Sequence, residues 1–190
     1  MIFNDLVEDF DYVITLSDHG EMFGEDGIWG HCHGVAPELT HVPLVVYGDE
    51  QEMETVERPV SLIDIYQTVL DLASVDVKDD RPSKFLFNDD HRAILTERYG
   101  FNKEALEGMN GEELDAINQY DRLLRGLVTT DMQYGYETIS GIRSVDEITE
   151  KEAQMRIEAI VQTLSEWQHV DTSVNVSDGI KRQLKDLGYA

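Results

Sequence analysis

The stretch that decides the fold runs from Tyr12 to Val46, YVITLSDHGEMFGEDGIWGHCHGVAPELTHVPLVV. Its first five residues, Tyr12 to Leu16, are apolar and rich in β-branched side chains, which predicts a buried strand. The run stops at Ser17, Asp18, His19 and Gly20. A carboxylate and an imidazole side by side are costly in a core, and at the carboxyl edge of a parallel sheet they stand where α/β proteins bind ligands. Gly20, Gly24 and Gly27 allow close backbone approach or sharp turns in the loop that follows. A second apolar run, Val42 to Tyr47, predicts a second strand, with Pro43 tolerated near its start.

Read together, Ser17-Asp18-His19-Gly20-Glu21 after a strand, Phe23-Gly24-Glu25-x-Gly27, Trp29-Gly30-His31 and His41-Val42-Pro43-Leu44 resemble the sulfatases of the alkaline-phosphatase superfamily. The resemblance implies an α/β fold, here the C-terminal part of an alkaline-phosphatase-like mixed sheet flanked by helices, followed by a small antiparallel C-terminal sheet and helices. It implies that Asp18 and His19 are ligands of a divalent cation, Ca²⁺ first, with Mn²⁺, Mg²⁺ and Zn²⁺ as alternatives; a carboxylate oxygen and an imidazole nitrogen suit these ions. His31 is then the catalytic residue that contacts the sulfate or the leaving-group oxygen, with His33 as the second substrate-binding candidate. Glu21 either orients His19 or is a solvated loop carboxylate. Many relatives carry His where this chain has Asp26.

The sulfatase nucleophile motif, Cys or Ser followed by x-Pro-x-Arg, is absent: none of Pro37, Pro43, Pro59 and Pro82 has that context. Cys32, between two histidines and without the Pro and Arg, is not a candidate nucleophile. The expected organisation is therefore residues 1–100 as the C-terminal part of the catalytic domain and 101–190 as a small subdomain. The implied function is sulfuric-ester hydrolysis, with this chain inactive by itself and a separate N-terminal sulfatase half as its partner. Two rivals stand beside it, a phosphate or phosphonate monoester hydrolase of the same superfamily and a non-catalytic fragment or subunit.

Farther along, Leu62, Ile63, Tyr66, Val69, Leu70 and Ala73 recur at helical spacing and predict a packing helix over 61–74, with Ser61 and Asp64 as its capping pair. Val60 to Thr68 also resembles a family segment, with Gln67 in the place of its proline. A strand is expected at 92–96, a helix at 112–124, and a hairpin of 126–130 with 133–139 around Asp131-Met132. Ser144 with Glu147 predicts a long helix to Trp167, and the tail from Ser177 reads as a last helix that stops at Gly188.

Composition narrows the partners. The 190 residues carry 39 Asp and Glu against 15 Lys and Arg, a formal charge of −24. Such a surface repels nucleic acid and anionic membranes. The acid is spread over the chain, as expected for a halophilic protein solvated in concentrated salt. A single cysteine allows no internal disulfide, and the start lacks the basic and apolar regions of a signal peptide, so the cytoplasm is the expected compartment.

Overall fold

The computed structural model describes residues 2–31, 33–48, 55–77, 82–101, 111, 114, 118–164, 179, 180, 182 and 183. Helix α1 (Ile2–Asp9) leads into strand β1 (Tyr12–Leu16). A short ribbon of β2 (Met22–Phe23) and β3 (Trp29–Gly30) follows, joined by a 3₁₀ turn at Glu25–Gly27. Then come α2 (Pro37–Thr40), β4 (Leu44–Gly48), α3 (Asp64–Leu72), β5 (Ile94–Arg98), β6 (Leu124–Val128), β7 (Tyr134–Thr138), β8 (Gly141–Val145) and α4 (Glu150–Thr163). The chain is a mixed α/β structure whose sheets are antiparallel among the described residues.

The Asp-His pair does end a strand, but the partner of that strand among the described residues is antiparallel, not a parallel neighbour of the kind that places ligands at a sheet's carboxyl edge. β1 pairs antiparallel with β4, Tyr12 opposite Gly48 and Leu16 opposite Leu44. Two short apolar runs specify strands but not direction, which depends on how the chain between them returns. Here the loop and α2 fold back, so that Ser17 N donates to Pro43 O. The second strand begins two residues later than Val42, beyond Pro43, which has no N–H to give to a ladder.

The C-terminal sheet is a meander in the order β5-β6-β7-β8. The β6–β7 hairpin forms as expected, with Leu127 opposite Gly135 and Met132 in the left-handed region at the turn. β5 spans 94–98, not 92–96, and lies N-terminal to residue 100 while pairing with β6. Leu124, expected at the end of a helix, opens β6. Only residues 111, 114 and 118 around that expected helix are described as helical, and the other residues of 112–117 lie outside the described set.

The long helix expected from Ser144 starts later. Residues 141–145 form β8, alternating between exposed and half-buried positions, and the cap is Thr149, whose side chain accepts from Glu152 N. The Ser144–Glu147 pair has the spacing of a capping box but belongs to a strand and its turn. α4 packs across β6, β7 and β8, with Ala153 and Ile157 buried. A Cβ on Gly135 would lie 2.4 Å from that of Ala153, so helix and sheet meet closely because this strand residue is glycine. Helix α4 ends at Thr163, short of Trp167, which lies outside the described residues together with Leu184, Leu187 and Gly188.

α3 spans 64–72, inside the expected 61–74, and its packing inverts the expected stripe. Its buried residues are Asp64 and Thr68, whereas Leu62, Ile63 and Val69 are exposed. Asp64 accepts from Ser61 N at 2.9 Å, Lys84 N at 2.8 Å and the Arg92 guanidinium at 2.5 Å. Thr68 Oγ1 donates to Asp64 O and accepts from Leu86 N. The helix is therefore docked on the 82–92 segment by polar groups; hydrophobic periodicity does not register such contacts.

The core that matters for the site joins the two halves of the chain. Met22, Val35, Ala36 and Leu39 from the N-terminal loop pack with Leu124 and Tyr136 of the C-terminal sheet, and Ile28 lies against them. Thr40 of α2 and Tyr134 of β7 share a 2.6 Å hydrogen bond. The loop that carries the candidate site residues is thus clamped onto the meander.

Candidate functional site

At the end of β1 the chain turns without a helix. Asp18 Oδ1 accepts from His19 N at 3.0 Å, and Ser17 Oγ donates to His19 O at 2.6 Å. Gly20 N donates to Leu39 O at 2.9 Å, and a Cβ on Gly20 would stand 1.9 Å from Glu38 O. The backbone after the Asp-His pair is pressed directly on α2, and no side chain fits there. This contact fixes where His19 stands.

His19 Nδ1 lies 2.9 Å from Gly20 O, and its Nε2 lies 3.7 Å from Asp18 Oδ2. Donation from Nδ1 to a carbonyl makes Nε2 the nitrogen with the lone pair, the arrangement seen in metal-bound histidines. Asp18 and His19 thus offer an oxygen and a nitrogen donor at a separation that one cation can span. The donor set fits a hard to borderline divalent ion. Among the described residues, no group of three or more His, Cys, Asp and Glu side chains is placed to hold a metal ion, so the pair amounts to two ligands.

His31 is delivered by the β2–β3 ribbon. Phe23 faces Trp29 and Met22 faces Gly30, and continuing that register puts Glu21 opposite His31. The side chains meet as this predicts: Glu21 Oε2 is 3.1 Å from His31 Nδ1. The His31 ring also stacks on His19, centroids 4.3 Å apart and planes inclined at 23°. The structure therefore brings Asp18, His19, Glu21 and His31 together. It corrects the partner of Glu21, which is His31 and not His19; His19 is oriented by the Gly20 carbonyl.

His33 stands elsewhere. Its ring is edge-on to Phe101 and Tyr120, at 5.5 and 5.0 Å between centroids, and its Nδ1 is buried with no hydrogen-bond partner among the described residues. Burial, and next the Arg98 guanidinium, hold its pKa below the usual imidazole value. His41 is exposed. Cys32 lies outside the described residues.

Two features of this region give no signal in the sequence. Asp26 sits in the left-handed region at φ 54° and pairs with the Arg143 guanidinium of β8, while Tyr136 OH donates to it at 3.4 Å. The loop is therefore tied to the C-terminal sheet through Asp26. Burial, followed by the charge of Asp26, raises the pKa of Tyr136. The other feature is the exposed pair Phe23 and Trp29, side by side on the ribbon.

Against known proteins, residues 2–75 match the family model described as Sulfatase. An uncharacterized sulfatase of Escherichia coli, YidJ, is 27% identical over 126 residues, which cover 65% of this chain and 25% of that protein. The chain thus spans about a quarter of the length of this curated relative. No solved structure matches it. No helix among the described residues is long and apolar enough to cross a membrane.

Proposed function

We propose that this chain, which belongs to the sulfatase family over residues 2–75, forms part of the active site of a metal-dependent sulfuric-ester hydrolase. The observation that carries the reading is the cluster at the end of β1, with Asp18 and His19 as adjacent donors and His31 stacked on His19 with Glu21 at its Nδ1. Asp18 and His19 would hold the cation. When bound, a divalent cation polarises a sulfate oxygen and stabilises an anionic nucleophile.

Anion contact and proton transfer fall to the chain's own side chains. Glu21 accepts a hydrogen bond from His31 Nδ1 and so orients the ring. His31 Nε2 is then the atom that contacts the anion and gives its proton to the departing oxygen. His19 has a carbonyl where His31 has a carboxylate, which divides the two imidazoles between metal binding and proton transfer. The half-buried aromatic setting of His33, with its Nδ1 buried, supports packing over substrate contact.

Neither Cys-x-Pro-x-Arg nor Ser-x-Pro-x-Arg occurs in the 190 residues, so the nucleophile comes from sulfatase sequence beyond them, in the same polypeptide or in a separate N-terminal half. By donor type the ion is Ca²⁺ first, with Mn²⁺, Mg²⁺ and Zn²⁺ as alternatives. The test is Mn²⁺ titration of the chain in concentrated KCl, followed by NMR. The His19 and His31 resonances should broaden in the wild type and stay sharp in Asp18→Ala, and equal broadening in both would overturn the reading. Nitrophenyl sulfate and nitrophenyl phosphate, assayed in parallel, separate the sulfatase from a phosphoesterase of the same superfamily. The expected result is no turnover of either ester by this chain alone. Turnover that Asp18→Ala abolishes would place a nucleophile within it.

A further inference from the structure

Phe23 and Trp29 are the two most exposed large apolar side chains described, at 69% and 72%. They are direct cross-strand partners on β2 and β3, so their side chains leave the same face of the ribbon. Their neighbours turn the other way: Met22 is buried in the core and Ile28 packs against it. Strands present every second residue to one face, so Glu21 shares that face with Phe23, and His31 shares it with Trp29. The contact between Glu21 and His31 confirms the register. One face of the ribbon therefore carries two aromatic rings and, one pair along, the Glu21–His31 couple.

The indole is also held in place. Gly24 adopts φ +112°, and a Cβ there would come within 3.1 Å of Trp29 Cζ2. The ring lies over bare backbone because residue 24 has no side chain, and the hydrogen bond from Gly24 N to Ile28 O closes the turn beneath it. An indole beside a second ring, exposed next to the Glu21–His31 couple, contributes little to the core of this chain. It presents a flat apolar surface to whatever reaches His31.

We propose that Phe23 and Trp29 form a stacking platform for the organic group of the ester, and that this group carries a flat-faced ring. The inference rests on the assignment of His31 to the anion given above. With the sulfate at His31, the ring attached to the ester oxygen lies against the indole. A short alkyl group has no face to stack.

Isothermal titration calorimetry of the full chain in concentrated KCl tests this with four probes: inorganic sulfate, n-butyl sulfate, phenyl sulfate and a monosaccharide sulfate. Stacking contributions of the size found for aromatic pairs predict that the best ring-bearing ester binds about threefold to tenfold tighter than n-butyl sulfate. Trp29→Ala should remove that advantage and leave inorganic sulfate binding unchanged, and Trp29→Phe should keep part of it. The phenyl and sugar arms identify the kind of ring. If inorganic sulfate binds but the four probes rank together, or Trp29→Ala has no effect, the platform is wrong and the sulfatase reading stands. If no probe binds, including sulfate, the assignment of His31 fails and the platform falls with it. Loss of a dimer in Trp29→Ala, with ester binding unchanged, would make this face a contact between copies and overturn the proposal.

Discussion

Gly20 carries more of the site than its lack of a side chain suggests. It joins the Asp18-His19 pair to α2 at a distance where a Cβ would overlap Glu38 O, a backbone atom that cannot swing away. Gly20→Ala is expected to destabilise the chain by about 1–3 kcal/mol, the range for forcing extra atoms into a packed site, measured by urea unfolding. Unchanged stability would mean that the β1–α2 contact opens freely to admit a methyl group. His33 makes a different kind of prediction. Burial and Arg98 lower its pKa in the folded chain, so between that value and about 6.5, the ordinary imidazole value, the unfolded chain binds more protons. Stability therefore rises with pH through this window and is lost as pH falls below about 6.5. His33→Phe, a ring among rings, should flatten that part of the pH dependence relative to wild type, and an identical slope in both would exclude His33 as its source.

Between elements, the polar contacts decide more than the apolar pattern predicts. Asp64 is 3% exposed and takes hydrogen bonds from Ser61 N, Lys84 N and Arg92. Asp64→Ala leaves a half-buried guanidinium and two amides without their acceptor, and should cost roughly 3–5 kcal/mol, as when one partner of a buried pair is removed. Denaturant unfolding of Asp64→Ala beside Val69→Ala checks this: the exposed Val69 should cost far less, and the reverse order would restore the apolar stripe as the docking surface. The same contrast explains what the sequence made legible. β1, the β6–β7 hairpin and the existence of α3 follow from local runs and turn chemistry, while it is the resemblance to the sulfatases that singles out Asp18, His19 and His31. Strand direction and the pairing of Asp26 with Arg143 depend on residues far apart in the chain, whereas the cap at Thr149, three residues before Glu152, is a local signal that competes with the equally spaced Ser144–Glu147 pair. Glu21 lies between the two kinds. Adjacency points it towards His19, yet the register of a two-residue ribbon identifies His31 as its partner as soon as Phe23 and Trp29 are seen to pair.

For the molecule as a whole, charge sets the conditions under which any of this can be observed. With 39 acidic and 15 basic side chains, the folded chain works against its own repulsion at low ionic strength. Helix α1 concentrates the problem: Glu8 and Asp9 lie in its last turn, which has no basic residue, so they face the negative end of the helix dipole. Salt shortens the range of these repulsions from about 10 Å at 0.1 M to about 3 Å at 1 M, which removes the long-range sum and leaves local contacts such as Arg125–Glu97 and Arg92–Asp64 largely in place. We therefore propose that the protein is adapted to concentrated salt. Its melting temperature should climb steadily as KCl rises from about 0.1 M to about 1 M, and dialysis to low salt should unfold it. Salt also strengthens apolar contacts, so the rise alone would not isolate charge. Replacing Asp5, Glu8 and Asp9, all exposed, by Asn, Gln and Asn makes the distinction. If repulsion is the cause, the triple variant melts higher than wild type at low salt and the two converge at high salt. Parallel curves would assign the salt effect to apolar contacts, and a melting temperature indifferent to KCl would end the proposal of salt adaptation.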